Sequence, residues 1–533
     1  MSGVVSAEAL ARMLDDGGEI AVLDVREHGE YGEEHLFFGV NVPYSRFELD
    51  LSQRVPNPRA RIVLYDQAGG SIAARAAASA ERLGYADVSW LQGGIEAWKQ
   101  AGFAVFAGVN VPSKTFGEMV EETFGTPSLS AEELAELRDR GEPVVVLDGR
   151  PWEEYHGWTI PGGISCPNGE LAYRLAELVP DERTPVVVNC AGRTRSIIGC
   201  ETLRQYGVKN PVYALRNGTM GWRLAGMELE HGATRRAPAR REPADLEARR
   251  RQALALAERA GVARLSAEQV RIWLGETDRT TYLLDVRDPR EYRQRHMPGS
   301  VSAPGGQLIQ ATDHWVGVRR ARLVLVDDTE VRAAVCAYWL AQRDYDVAIL
   351  AAGEAAWWDA RSEIPAIAPV EAAPRVSVAM LAAELTGSRQ PLLLDCQQSM
   401  AYRRAHVPGA AWVIRPRLEA AVSGTSRTRP IRLLGADSGP EDLLAADLRA
   451  LGFTDVAVLD GGIAAWQAAG QPVAATADDP PDEDCADYLF FVHDRHQGNL
   501  ESARRYLAWE HGLVESLAAG ERAHYRLARP RQP

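Results

Sequence analysis

VVVNCAGRTRS, Val186 to Ser196, is a β-branched run ending in a cysteine, then a short loop with one glycine and two arginines. A helix-forming stretch, beginning SIIGCETL, opens where the loop closes. This order is a unit of a parallel α/β sheet, whose loops gather at the carboxyl ends of the strands, where such folds place ligands. The unit recurs. Apolar runs end at Tyr65, Asn189, Val326 and Leu434, and each leads into an Ala/Leu-rich helical stretch.

Working outward, each unit is preceded by a strand-like run with an Asp motif. These are IAVLDVREHGEY (Ile20–Tyr31), VVVLDGRPWEEY (Val144–Tyr155), YLLDVRDPREY (Tyr282–Tyr292) and PLLLDCQQSMAY (Pro391–Tyr402). Each is followed by a third strand and a Gly-x-x-x-Trp ending, at Trp98, Trp222, Trp357 and Trp466. The chain therefore reads as four copies of about 100 residues, the usual size of one domain. Continuous apolar strands predict an α/β fold: in each copy a small parallel sheet covered by helices on both faces. The expected divisions are 1–107, 128–231, 262–363 and 374–475, with 476–533 an acidic linker and helical tail. The arginine-rich joint Ala233–Gly261 is expected to be a solvated linker helix, and TADDPPDEDC to be mobile. The tail from Asn499 has helical apolar spacing at Leu500, Ala503, Leu507, Leu513 and Leu517, which predicts docking on a neighbouring domain.

The 533 residues carry a net charge of −14, which argues against general nucleic-acid binding and requires any anion site to be locally positive. Six scattered cysteines without a CxxC pair suggest neither a disulfide framework nor a metal or dithiol site. No apolar run is long enough to span a bilayer, and no signal peptide is visible, so a cytoplasmic protein is expected.

The ordered motifs resemble the rhodanese family of sulfurtransferases. The first signature is fullest in RHMPGS after Asp285, Arg287, Glu291 and Tyr292, and in AHVPGA (His406, Pro408, Gly409); copies one and two carry partial versions. In that family the reactive cysteine closes the fourth strand. The resemblance places Cys190 there in copy two, with Asp66, Asp327 and Gly435 in copies one, three and four, so one copy alone can do thiol chemistry. Asp66 and Asp327 are expected to repel anionic donors.

The residues themselves support a nucleophile. Backbone N–H groups of Ala191, Gly192, Arg193, Thr194, Arg195 and Ser196 can ring the sulfur, the following helix adds positive charge at its N-terminus, and two arginines add more. These surroundings favour the thiolate. Gly192 is expected to let the loop bend. A buried inert cysteine would not call for such a loop. A cysteine phosphatase needs arginine six positions after the cysteine, and that position is Ser196. The resemblance implies sulfur transfer from thiosulfate or a related donor, through a Cys190 persulfide, to cyanide, a thiol or a protein. Arg193 and Arg195 would hold the donor anion, and no metal or organic cofactor is implied. The alternative from another class is a persulfide carrier or scaffold serving a protein partner. Two departures bear on the donor: Ala191 and Gly192 stand where thiosulfate-preferring members often have basic residues, and Glu154 stands where two-domain members tend to have arginine. Cys200, Cys336 and Cys396 read as core, Cys166 as a core or resolving thiol, and Cys485 near His493 and His496 as a tail cysteine or a metal ligand.

Overall fold

The computed structural model describes residues 3–238, 243, 245–351, 371–436, 439–490 and 499–528. Trp357, His493 and His496 lie outside the described residues. The apolar runs of copy one form β1 (Gly3–Val5), β2 (Ala21–Asp24), β3 (Val40–Asn41), β4 (Ile62–Tyr65) and β5 (Val88–Leu91). Copy two supplies β6 (Ser128–Leu129), β7 (Val145–Asp148), β8 (Ile164–Ser165), β9 (Val186–Asn189) and β10 (Val212–Leu215). Copy three supplies β11 (Ala263–Leu265), β12 (Thr281–Asp285), β13 (Val301–Ser302), β14 (Arg322–Val326) and β15 (Asp346–Leu350). Copy four supplies β16 (Arg375–Val376), β17 (Leu392–Asp395), β18 (Ala411–Trp412), β19 (Ile431–Leu434) and β20 (Val456–Leu459).

Each set makes one five-stranded parallel sheet in the order first, fifth, fourth, second, third. The fourth strand is therefore central. In copy two, Val187 of β9 lies opposite Val146 of β7 and Tyr213 of β10, and all four residues of β9 are buried. Burial on both faces explains the unbroken Val186–Val188 run.

The helices that matter to the site are α1 (Ser71–Arg82), α2 (Val111–Phe124), α3 (Thr194–Tyr206), α4 (Leu246–Glu258), α5 (Val331–Leu340), α6 (Pro440–Ala450) and α7 (Leu500–His511). α1, α3, α5 and α6 follow the fourth strand of each copy. α2 and α4 are the linkers between copies one and two and between two and three. The expected solvated character of α4 is not observed. Leu246, Ala253, Leu256 and Ala257 are buried and the helix packs on α5. Its arginines bond carbonyls on both flanking copies: Arg249 to Tyr173, Arg250 to Thr329 and Arg259 to Gln205. The acidic segment is likewise anchored. Arg403 pairs with Asp482, Arg417 pairs with Asp484, and Ala486 O accepts from Gly29 N.

The first signature proves structural. Tyr31, Tyr155, Tyr292 and Tyr402 each donate their hydroxyl to the carbonyl eight residues later. Arg26, Arg150 and Arg287 each clamp the preceding Asp and reach the carbonyl eight residues on. His35, His296 and His406 stack on their tyrosines, with ring centres 4.2, 4.3 and 4.0 Å apart. Trp98, Trp222 and Trp466 are buried and donate to the carbonyl six residues later.

Two of the contacts between copies are equivalent, and copies one and three also meet through the Ile20–Arg319 bridge. The turn Asn168–Glu170 of copy two lies against the helix Gly305–Gln310 of copy three, close enough that a Cβ on Gly169 would stand 3.0 Å from Gly306 N. The matching turn Tyr44–Arg46 of copy one lies against Arg415–Arg417 of copy four. There the Arg415 guanidinium covers the Tyr44 ring at 4.2 Å and pairs with Glu48 and Asp447.

Candidate active site

Cys190 follows β9 directly and is 2% exposed. Its Sγ lies 3.5 Å from Ser196 Oγ, the thiol donating, and Ser196 Oγ donates to Arg193 O at 2.8 Å. Thr219 N and Met220 N donate to the carbonyls of Cys190 and Ala191, which fixes the loop on its outer side. Asn168 Nδ2 holds Arg195 O at 2.7 Å from within the domain. The glycine at 192 serves close packing rather than a turn. A Cβ there would stand 2.8 Å from Met220 Cε and 3.2 Å from Glu510 Oε2, while its φ is not in the left-handed region.

The other copies show what this loop is built to hold. In copy one the Asp66 carboxylate accepts from the backbone N–H groups of Ala68, Gly70 and Ala73. In copy three Asp327 accepts from Thr329 N and Arg332 N, from Thr329 Oγ1 and from the Arg332 guanidinium. In copy four Gly435 leaves the space open and Glu441 fills it. A Cβ on Gly435 would lie 2.0 Å from Glu441 Oε1, and Glu441 Oε2 accepts from Gly439 N. Each cradle thus encloses an acidic side chain of its own copy. Burial alone would raise Asp327, yet Arg332 and the Thr329 donors bring it down to about 2. The Asp residues do not stand at the mouth to repel a donor, as the sequence suggested; they occupy the anion position. By the copy-three spacing, Gly192 N and Arg195 N of copy two stand at the positions of Thr329 N and Arg332 N.

Arg195 is the copy-two counterpart of Arg332. Its guanidinium forks onto Glu154 at 2.7 and 2.8 Å and reaches Gln307 of copy three at 3.2 Å. Burial would depress it, but Glu154, with the Cys190 charge adding to it, holds it above the ordinary arginine value. Glu154, the departure noted in the sequence, is thus the partner of the site arginine. Arg332 uses Glu291 in the same way. Arg193 is placed differently. Its guanidinium is gripped by Glu118 and Glu121 of α2, so the first linker is part of the loop's support.

α7 closes the outer side. Tyr506, Ala503 and Leu507 pack with Met220, and Thr194 Oγ1 donates to Glu510 Oε1 at 2.9 Å. Glu510 is 2% exposed, and its Oε2, beside Gly192, is buried without a hydrogen bond. Glu118, Glu121, Gln307 and Glu510 were not found from sequence. They lie on other copies, a linker and the tail, and no spacing ties them to the loop. Apolar spacing in the tail signalled that it docks, but not where.

The remaining thiols are buried groups, except Cys396, which is half-buried. Cys166 and Cys200 pack among Leu171, Val188 and Leu203, and burial pushes both thiols up. Cys336 is 1% exposed, and Cys396 Sγ donates to Leu434 O. Cys485 is buried, its thiol facing carbonyls of Pro480 and Pro481, and no metal-binding cluster occurs among the described residues. Among those residues no helix is long and apolar enough to cross a membrane.

The profile of the rhodanese-like domain family matches residues 6–101, 130–225, 266–360 and 377–469. The crystal structure of a thiosulfate sulfurtransferase from Pseudomonas aeruginosa superposes with a TM-score of 0.90. It is 43% identical, with 98% of this chain and 99% of that one covered. The chain is 36% identical over 115 residues to the HTH-type transcriptional regulator Rv0324 of Mycobacterium tuberculosis (strain ATCC 25618 / H37Rv), covering 21% of this chain and 49% of the regulator. It is 31% identical over 102 residues to the candidate sulfur carrier YrkF of Bacillus subtilis (strain 168), covering 19% of this chain and 54% of the carrier. The chain thus spans about half the length of these curated relatives.

Proposed function

The chain belongs to the rhodanese-like domain family, and from that premise we propose that it is a thiosulfate sulfurtransferase working through Cys190. The observation that carries the reading is the anion in the other cradles: copies one and three put a carboxylate where copy two puts a sulfur. A loop that stabilises a buried carboxylate also favours a thiolate and the persulfide anion derived from it.

In the first half-reaction the Cys190 thiolate attacks the outer sulfur of thiosulfate. The new Cys–S bond forms as the S–S bond breaks, and sulfite leaves with the electron pair. In the second, cyanide or a thiolate takes the terminal sulfur and the Cys190 thiolate is restored. This is two-step covalent catalysis with ping-pong kinetics. Gly192 N and Arg195 N hold the charge on sulfur, and Arg195 meets the sulfonate. Arg193, engaged by Glu118 and Glu121, holds the loop rather than the donor.

Intact mass after thiosulfate treatment tests the proposal. Wild type gains one sulfur atom and Cys190→Ala gains none, and Cys190→Ala loses turnover from thiosulfate to cyanide. Sulfur on the Cys190→Ala protein would overturn the assignment. Mass gain without turnover to cyanide would mark a carrier instead of an enzyme.

A further inference from the structure

Copies one and four meet as copies two and three do, and a cavity of about 440 Å³ lies in this second interface. Copy three and the anchored acidic segment complete its wall. The charges on that wall do not cancel locally. Arg46 is matched by Asp50, and Arg415 by Glu48 and Asp447. Arg54 and Asp313 are not matched. Among the described residues the Arg54 guanidinium makes neither a hydrogen bond nor an ion pair, and burial pulls it below the usual arginine value. Asp313 Oδ1 is buried without a hydrogen bond. Arg54 feels the Asp50 charge and, after it, that of Asp313, but closes into a pair with neither, and Arg54 and Asp313 both line the cavity. Three further oxygens of the wall, Ser45 Oγ, Asn110 Oδ1 and Asp487 Oδ1, are buried without a hydrogen bond.

Buried polar atoms normally find partners, and five unmatched groups around one cavity describe the ligand that would match them. It needs an anionic group for Arg54 and an N–H-rich cationic group for Asp313. Both charges must lie on one small framework. We propose that this cavity binds a small zwitterion of the amino-acid type, its carboxylate on Arg54, its ammonium on Asp313 and its remaining donors on Asn110 and Asp487. The cavity is larger than such a head group, so a side chain fits as well. The inference does not depend on the chemistry of Cys190.

The test is calorimetric titration of the full chain with the common L-amino acids, with propionate and propylamine as single-charge controls. At least one amino acid binds, each control binds about tenfold or more weakly than it, and Arg54→Gln and Asp313→Asn each weaken it about tenfold or more. Cys190→Ala binds as wild type does. The proposal is overturned if no amino acid binds, if propionate or propylamine alone binds as well, or if both variants bind like wild type. The Arg54 carbonyl, which accepts from Gly317 and Tyr282, is untouched by the side-chain change, and the two controls need no variant.

Discussion

Glu154 and Glu291 precede the same tyrosine in two copies, and both hold the arginine five residues beyond the cradle's first residue. In copy three this arrangement is closed, because Arg332 also binds Asp327. In copy two the same arginine holds Glu154 and, on the proposed mechanism, must also receive the donor. Glu154 therefore competes with the donor anion. Glu154→Gln is expected to lower KM for thiosulfate by about fivefold, the scale of a partly exposed ion pair, with a smaller effect on kcat. An unchanged or raised KM would mean that Arg195 does not meet the donor. The residue scale also shows where sequence reading stops. Cys190 and its three replacements were legible, because four copies can be aligned on their strands. That Arg193 and Arg195 have different duties was not, since only their carboxylate partners separate them.

At the scale of elements, the strands and the helices following each fourth strand were legible because burial on both faces writes continuous apolar runs. The second linker was misread. Charge made α4 look solvated, but arginines can lay their stems on apolar surface while their heads bond backbone carbonyls. α2 and α7 prop the loop from two sides, and α7 covers its outer face. Tyr506 is its large buried contact with Met220. Tyr506→Ala removes that contact, and opening of α7 from the loop becomes easier. Alkylation of Cys190 by iodoacetamide is expected to quicken by about tenfold or more. Equal rates in wild type and variant would show that α7 does not gate the thiol.

For the molecule as a whole, stability against pH follows from a difference between copies. Asp24, Asp148 and Asp285 each have an arginine clamp, whereas Asp395 has Gln397. Burial pushes Asp395 up to about 6. Between its ordinary value of 3.8 and about 6, the unfolded chain has lost this proton and the folded chain keeps it, so stability falls as pH rises through that window. The loss attributable to Asp395 is on the order of 3 kcal/mol and levels off above the window. Asp395→Asn is expected to flatten this part of a melting-temperature profile; an unchanged slope would refute the cause. The pairing of copy one with four and two with three, like the cavity between one and four, left no mark in the sequence. Its contacts join residues hundreds of positions apart, such as Glu48 and Arg415.

The filled cradles of copies one, three and four also set a stoichiometry. A cradle filled by its own acid already holds a carboxylate where a sulfur oxyanion would sit, and its loop carries no cysteine to accept sulfur. Fourfold repetition therefore does not mean fourfold capacity: on the Cys190 reading each chain is loaded with a single equivalent of sulfur, and the other three domains add mass and interfaces without adding valence.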